Sequence, residues 1–114
     1  MIKTVSFQRA KQLKEAGFPQ RTALFWVGLT AVSAKLVQYP NLTNVTYAAP
    51  TAEEIVERVP NKVEIDNTIW EIQLEWTLNE WHVTYGAFGL TTKSETITDA
   101  LALMYLALQE QDLL

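Results

Sequence analysis

His82 is the only histidine in the chain, and the residues around it offer the most direct route to chemistry. Set beside Glu71, Gln73 and Glu75, an imidazole is material for an acid–base pair or a cation site. Zinc, however, asks for more nitrogen or sulfur ligands than one histidine supplies, and the chain has no cysteine. The simpler reading is a cross-strand ion pair between His82 and Glu75, worth roughly 0.2–1 kcal/mol. No serine or threonine is placed beside His82 for a nucleophilic relay. Glu53, Glu54 and Glu57 read as charges at a helix start, where the dipole favours them. Gly17, Gly28, Gly86 and Gly89 never fall into a phosphate-binding pattern. Trp26, Trp70, Trp76 and Trp81 could line an aromatic ligand site, but three of them fall on a packed sheet face, where Trp76 and Trp81 flank a turn at the sheet's end and are the pair expected to be partly exposed. No catalytic, cofactor-binding or metal-binding residue is assigned, and no cofactor is expected.

The element that positions His82 is written out in residues 62–85, KVEIDNTIWEIQLEWTLNEWHVTY. Apolar and polar residues alternate there with the period of a half-buried strand. Asp66-Asn67 suits a two-residue turn, since both residues tolerate a positive φ. A second turn falls within residues 77–80. Together these pair Trp76 with Trp81, Leu74 with Val83, Ile72 with Tyr85 and Glu75 with His82. Val63, Ile65, Trp70, Ile72, Leu74, Trp76, Trp81, Val83 and Tyr85 then share one face, expected to be the packed one. Glu64, Ile69, Glu71, Gln73, Glu75, His82 and Thr84 share the wet face. A slip of one residue would bury the carboxylates, so the register is strongly specified.

Helices flank this sheet. Ser6 caps a helix over residues 7–16, Val5 can staple against Ala10, and Gly17 with Pro19 stops it. Its apolar stripe is thin: Ala10, Leu13, Ala16 and Phe7. Thr51 and Glu54 stand at capping-box spacing and start a short helix that Pro60 ends, with Ile55, Val56 and Val59 inward. The last helix covers residues 97–110, with Thr96 and Asp99 as a box-like cap at its start. Ile97, Leu101, Met104, Tyr105 and Leu108 form its main stripe, while Thr98, Asp99, Ala102, Leu106, Gln109 and Glu110 lie opposite. Ala102 and Leu106 are thus apolar where water is expected, which marks a second contact with another segment or another subunit. Residues 22–27 read as a strand buried on both faces, residues 35–39 as a weaker strand, residues 28–34 as a hairpin link, and residues 40–44 as a turn.

Length suggests one domain over residues 1–114, and a hydrophobic share of 48% suffices for an ordinary core. The fold class is α+β in two layers. An antiparallel sheet of three to five strands packs on the C-terminal helix, beside a short N-terminal helix. The run 23–32 imitates the apolar region of a targeting signal, but it is too short to span a bilayer and is read as a buried strand. No membrane association is expected. The net charge of −4 is unevenly spread. Residues 1–36 carry six Lys or Arg against one Glu, a net of +5, and the remainder carries three against twelve carboxylates, a net of −9. Overall acidity argues against general nucleic-acid binding.

Three stretches carry a resemblance: SFQRAKQLKEAGFPQ at 6–20, APTAEEIVERVP at 49–60 and ITDALALMYLAL at 97–108, with EWHVTYG at 80–86 between the last two. Their order resembles small uncharacterised proteins encoded by phages and prophages, especially of gut Bacteroidales. Residues 21–48 match nothing in that pattern, and Asp66-Asn67 stands where a Gly-containing turn is usual. The resemblance implies no activity, so it assigns no functional residue. It implies a cytoplasmic accessory protein in the host cell. With the absence of site chemistry and the split charge, it leads us to expect a non-enzymatic protein that binds another protein, with a basic partner favoured. The residues expected to meet a partner are Glu64, Glu71, Glu75, His82 and Leu106. A self-assembling module, a weak homodimer through Leu106 or a sheet edge, is the alternative. A metal-dependent or hydrolytic enzyme centred on His82 comes last.

Overall fold

The computed structural model describes residues 3–38, 40, 41, 43, 45–86 and 90–114, with backbone alone for Ile65. The elements in chain order are α1 (Phe7–Glu15), β1 (Phe25–Val27), β2 (Lys35–Val37), β3 (Thr46–Ala48), α2 (Ala52–Val56), β4 (Lys62–Ile65), β5 (Thr68–Thr77), β6 (Glu80–Tyr85), β7 (Leu90–Ser94) and α3 (Ile97–Glu110). The fold is α+β, with antiparallel sheets and a helix toward each end.

The larger sheet has the order β4-β5-β6-β7. Its first two hairpins take the anticipated register: Val63 pairs with Trp70, Trp76 with Trp81, Glu75 with His82, and Ile72 with Tyr85. Asp66 and Asn67 have φ of 52° and 66°, and Leu78 and Asn79 have 53° and 62°. Both loops are therefore two-residue turns whose twist matches that of the strands. The fourth strand, β7, was not anticipated. Its sequence, LTTKS, has a single large apolar residue, Leu90, which is buried opposite Tyr85.

The strands expected from residues 22–39 do not join that sheet. β1 and β2 form the anticipated hairpin, but β3 pairs on the other side of β1 to make a separate three-stranded sheet. β1 is also shorter than expected, and only Phe25 in it is fully buried. The apolar run 23–32 is not one buried strand, because Leu29 and Val32 lie exposed in the loop after Gly28. There the backbone of Ala34 crosses so close that a Cβ on Gly28 would sit 2.6 Å from the Ala34 Cα. Tyr39, Leu42 and Asn44, which end the second strand and fill the expected 40–44 turn, lie outside the described residues.

α1 joins the smaller sheet to the last helix by touching both β3 and α3. Ser6 accepts from the Arg9 amide at its start. At its end the amides of Gly17 and Phe18 return to the Lys14 and Leu13 carbonyls, with Gly17 at φ 89°. Its basic face is partly spent inside the molecule: Lys14 Nζ donates to the Thr46 carbonyl at 2.8 Å and to that of Thr43 at 3.3 Å, and lies over the Tyr47 ring. α2 carries both arms of the Thr51/Glu54 capping box. Ile55 and Val59 point inward, but Val56 is exposed. It follows Ile55 by a single position, about 100° around the helix, while Val59 lies one turn on.

α3 occupies the centre. It packs over β6 and β7 on one side and against α1 and α2 on others. The main stripe is buried as expected at Leu101, Met104, Tyr105 and Leu108. The opposite stripe is not wet: Thr98 and Ala102 are fully buried, and Leu106 is half-buried against the core. Asp99 accepts from the Ser6 amide at 2.9 Å, Gln109 donates to the Ala16 carbonyl, and Tyr105 meets Phe18 edge-on. The second contact of α3 is thus another segment of the same chain, residues 3–18. Among the described residues no helix is long and apolar enough to cross a membrane.

Candidate functional site: the open half of the β5–β6 hairpin

β5 is ten residues long, and its neighbours share it unequally. β4 pairs only with positions 68–71, and β6 pairs only with positions 72–77. α3 lies over β6 and β7, so the distal half of β5 extends beyond both the helix and β4. The packed face runs out there. Val83 and Tyr85 are fully buried, yet Leu74 is 44% exposed and Trp76 52%. Trp76 is open as expected of the pair at the sheet's end, whereas the exposure of Leu74 corrects its placement on the packed face. Trp70, Ile72 and Trp81 are partly buried against the core. Trp76 is tilted 56° against Trp81 with ring centroids 5.6 Å apart, so the half-exposed Trp76 leans on its cross-strand partner.

Leu78 adds a further exposed apolar side chain in the turn at the hairpin tip, where it is 87% exposed. A bulky side chain at positive φ costs roughly 1–2 kcal/mol, and Leu78 gains little packing in return. Such turns favour Asn or Asp at their first position. We expect Leu78→Asn to stabilise the domain by roughly 0.5–1.5 kcal/mol. A midpoint of urea unfolding that falls would show that Leu78 packs usefully in the folded state.

The backbone at the same place is also open. The Ile72 amide bonds the Asn61 carbonyl at 2.9 Å, the last rung toward β4. In an antiparallel ladder alternate residues address opposite neighbours. Residues 73, 75 and 77 therefore address β6, while Leu74 and Trp76 turn their N–H and C=O groups to the free edge. Among the described residues, neither Leu74 nor Trp76 has a backbone partner on that edge.

The wet face carries most of the residues singled out for chemistry. Glu64, Glu71 and Glu75 are exposed on it. It is less purely acidic than the first three strands suggest. Lys62 stands 3.7 Å from Glu71, and β7 brings Lys93 beside His82. The His82 imidazole is not open to solvent: its side chain is 25% exposed, and Nε2 is buried with no hydrogen bond. Glu75 is its register partner, but the nearer carboxylate is Glu80, with Oε2 3.9 Å from both His82 Nε2 and Lys93 Nζ. Glu80 lies two positions back on the same strand and face, and that proximity decides the contact. Glu75 has no ion pair among the described residues. Nor do three or more His, Asp or Glu side chains converge there as a metal site requires. Leu106, expected as a separate contact on the last helix, lies on α3 and is partly buried against the core.

Sequence reasoning found the partial exposure at Trp76 but missed that of Leu74, because alternation reports which face a residue is on, not how far the covering helix reaches. One signal was available: Leu78 is a large apolar residue in a turn. No family model, curated protein or solved structure matches the chain.

Proposed function

We propose that the protein is a small non-enzymatic accessory protein of a phage or integrated element, acting by binding another protein in the host cytoplasm. The contact surface in this reading is the open half of the β5–β6 hairpin, with Leu74, Trp76 and Leu78 as anchors and the carboxylates of Glu71 and Glu75 behind them. The observation that carries it is Leu78, held at φ 53° and almost fully exposed. That residue works against the turn it occupies and adds little to the core, whereas contiguous exposed apolar side chains suit a partner surface. Large aromatic residues such as Trp76 are common energetic anchors of interfaces. The resemblance of the helix and strand motifs to phage-encoded proteins supports the setting. The basic helix is the weaker candidate surface, since Lys14 is engaged with the Thr43 and Thr46 carbonyls. Self-association through Leu106 is the weaker alternative in this reading, since that side chain is partly buried against the core.

The test is capture from a lysogenic host lysate with four baits: the parent protein, Trp76→Ser/Leu78→Asn, Glu71→Lys/Glu75→Lys and Arg9→Glu/Lys11→Glu. Each bait is first checked for cooperative unfolding at a midpoint no lower than that of the parent. The hairpin and sheet variants should lose the captured partner, and the helix variant should keep it. Loss in the helix variant alone would move the surface to α1.

A further inference from the structure

We infer that the free edge of β5 at Leu74 and Trp76 is a strand-docking site for an extended segment of a partner protein, one that alternates aliphatic with Lys or Arg residues. This rests on the protein-binding reading above and specifies its mode. The unpaired N–H and C=O groups of Leu74 and Trp76 form a short template to which an added strand can bond. The same two residues expose their side chains on one face, so the arriving strand would lay aliphatic groups against Leu74 and Trp76. On the other face, between them, stands the unpaired carboxylate of Glu75, with Glu71 further along the strand.

Charge decides between a foreign strand and a second copy of this chain. A two-fold pairing of β5 with itself that engages both residues must set Leu74 opposite Trp76 of the other copy. Glu75 then faces Glu75 across the axis in a position that addresses no hydrogen bond, where opposed Cα atoms are about 4.5 Å apart. Like charges so placed repel. Shifting the register to avoid this leaves only Leu74, or only Trp76, bonded across the axis, because Ile72 is already bonded to Asn61 and Leu78 is in the turn. The edge thus disfavours its own copy, and a Lys or Arg opposite Glu75 relieves the same carboxylate.

The probes are short acetylated peptides: alternating valine and lysine, alternating valine and glutamate, and the lysine peptide N-methylated on the bonding edge. Binding to the full chain is followed by amide NMR and hydrogen exchange at low salt. The lysine peptide should slow exchange at Leu74 and Trp76 and bind about tenfold tighter than the glutamate peptide, with Glu75→Lys reversing the order. The N-methylated peptide should lose binding. Equal binding of the two charge patterns, no protection at Leu74 and Trp76, or dimerisation of the parent protein through this edge would each overturn the proposal. If the N-methylated peptide binds as well as its parent while Trp76→Ser/Leu78→Asn still loses the lysate partner, strand docking fails and the apolar-face reading stands.

Discussion

Replacing Gly86 with alanine should destabilise the domain by roughly 2–5 kcal/mol, combining a left-handed backbone cost with overpacking. Gly86 has φ 82°, and a Cβ there would sit 2.4 Å from Cδ2 and 2.6 Å from Cε3 of Trp70. The indole lies directly on the glycine, an arrangement that shields a sheet glycine with a neighbouring aromatic. The two contributions can be separated. Trp70→Leu in the Gly86→Ala background should recover the steric part and leave the backbone part, a coupling that a double-mutant cycle in urea reports. A loss below about 1 kcal/mol for Gly86→Ala would mean that the Trp70 ring swings aside freely.

Tyr85 should be the most sensitive aromatic position. It is fully buried between Ile72 and Leu90, and its hydroxyl donates to the Pro60 carbonyl at the exit from the α2 segment. Tyr85→Ala should cost roughly 3–5 kcal/mol, as for other large buried aromatics. Tyr85→Phe removes only the hydrogen bond and should cost roughly 0.5–1.5 kcal/mol. Burial also pushes the Tyr85 hydroxyl from 10.0 up to about 12. The folded chain then holds that proton where the unfolded chain has released it, so stability is unaffected below pH 10 and falls as pH rises from 10 toward 12. Tyr105 is raised as well by burial, with Arg58 lowering it in part, so some alkaline loss survives any change at Tyr85. Unfolding midpoints of the parent and Tyr85→Phe between pH 9 and 12 check this. Parallel profiles would show that Tyr85 is ionised as easily in the folded protein as in the unfolded one.

Trp76 marks the contrast, since it shares the sheet face of Tyr85 yet is half exposed. A substitution that hardly moves stability at Trp76 and ruins it at Tyr85 separates the part of the face used by the core from the part left open.

Local chemistry was enough to write the hairpins in full. Alternation set the faces, two pairs of left-handed turn residues set the loops, and every cross-strand pair from Val63 to Tyr85 followed, because a slip would bury carboxylates. Helix ends were legible for the same reason: Ser6, Thr51 and Thr96 each satisfy backbone amides within their own turn. What needed the assembled molecule were contacts between segments far apart in the chain. Leu90–Ser94 is polar enough to pass for a loop and becomes a strand only because Tyr85 and α3 bury Leu90. Thr46–Ala48 is a strand only beside β1 and under α1. Ala102 and Thr98 looked wet, yet both are buried in the fold, with the Thr98 hydroxyl donating to the Lys3 carbonyl. Leu74 looked buried, because alternation cannot say where α3 and β4 stop. The candidate site divides on the same line: Glu75 opposite His82 could be read from spacing, while the bare edge and uncovered apolar face at Leu74 and Trp76 exist only because of how far their neighbours extend.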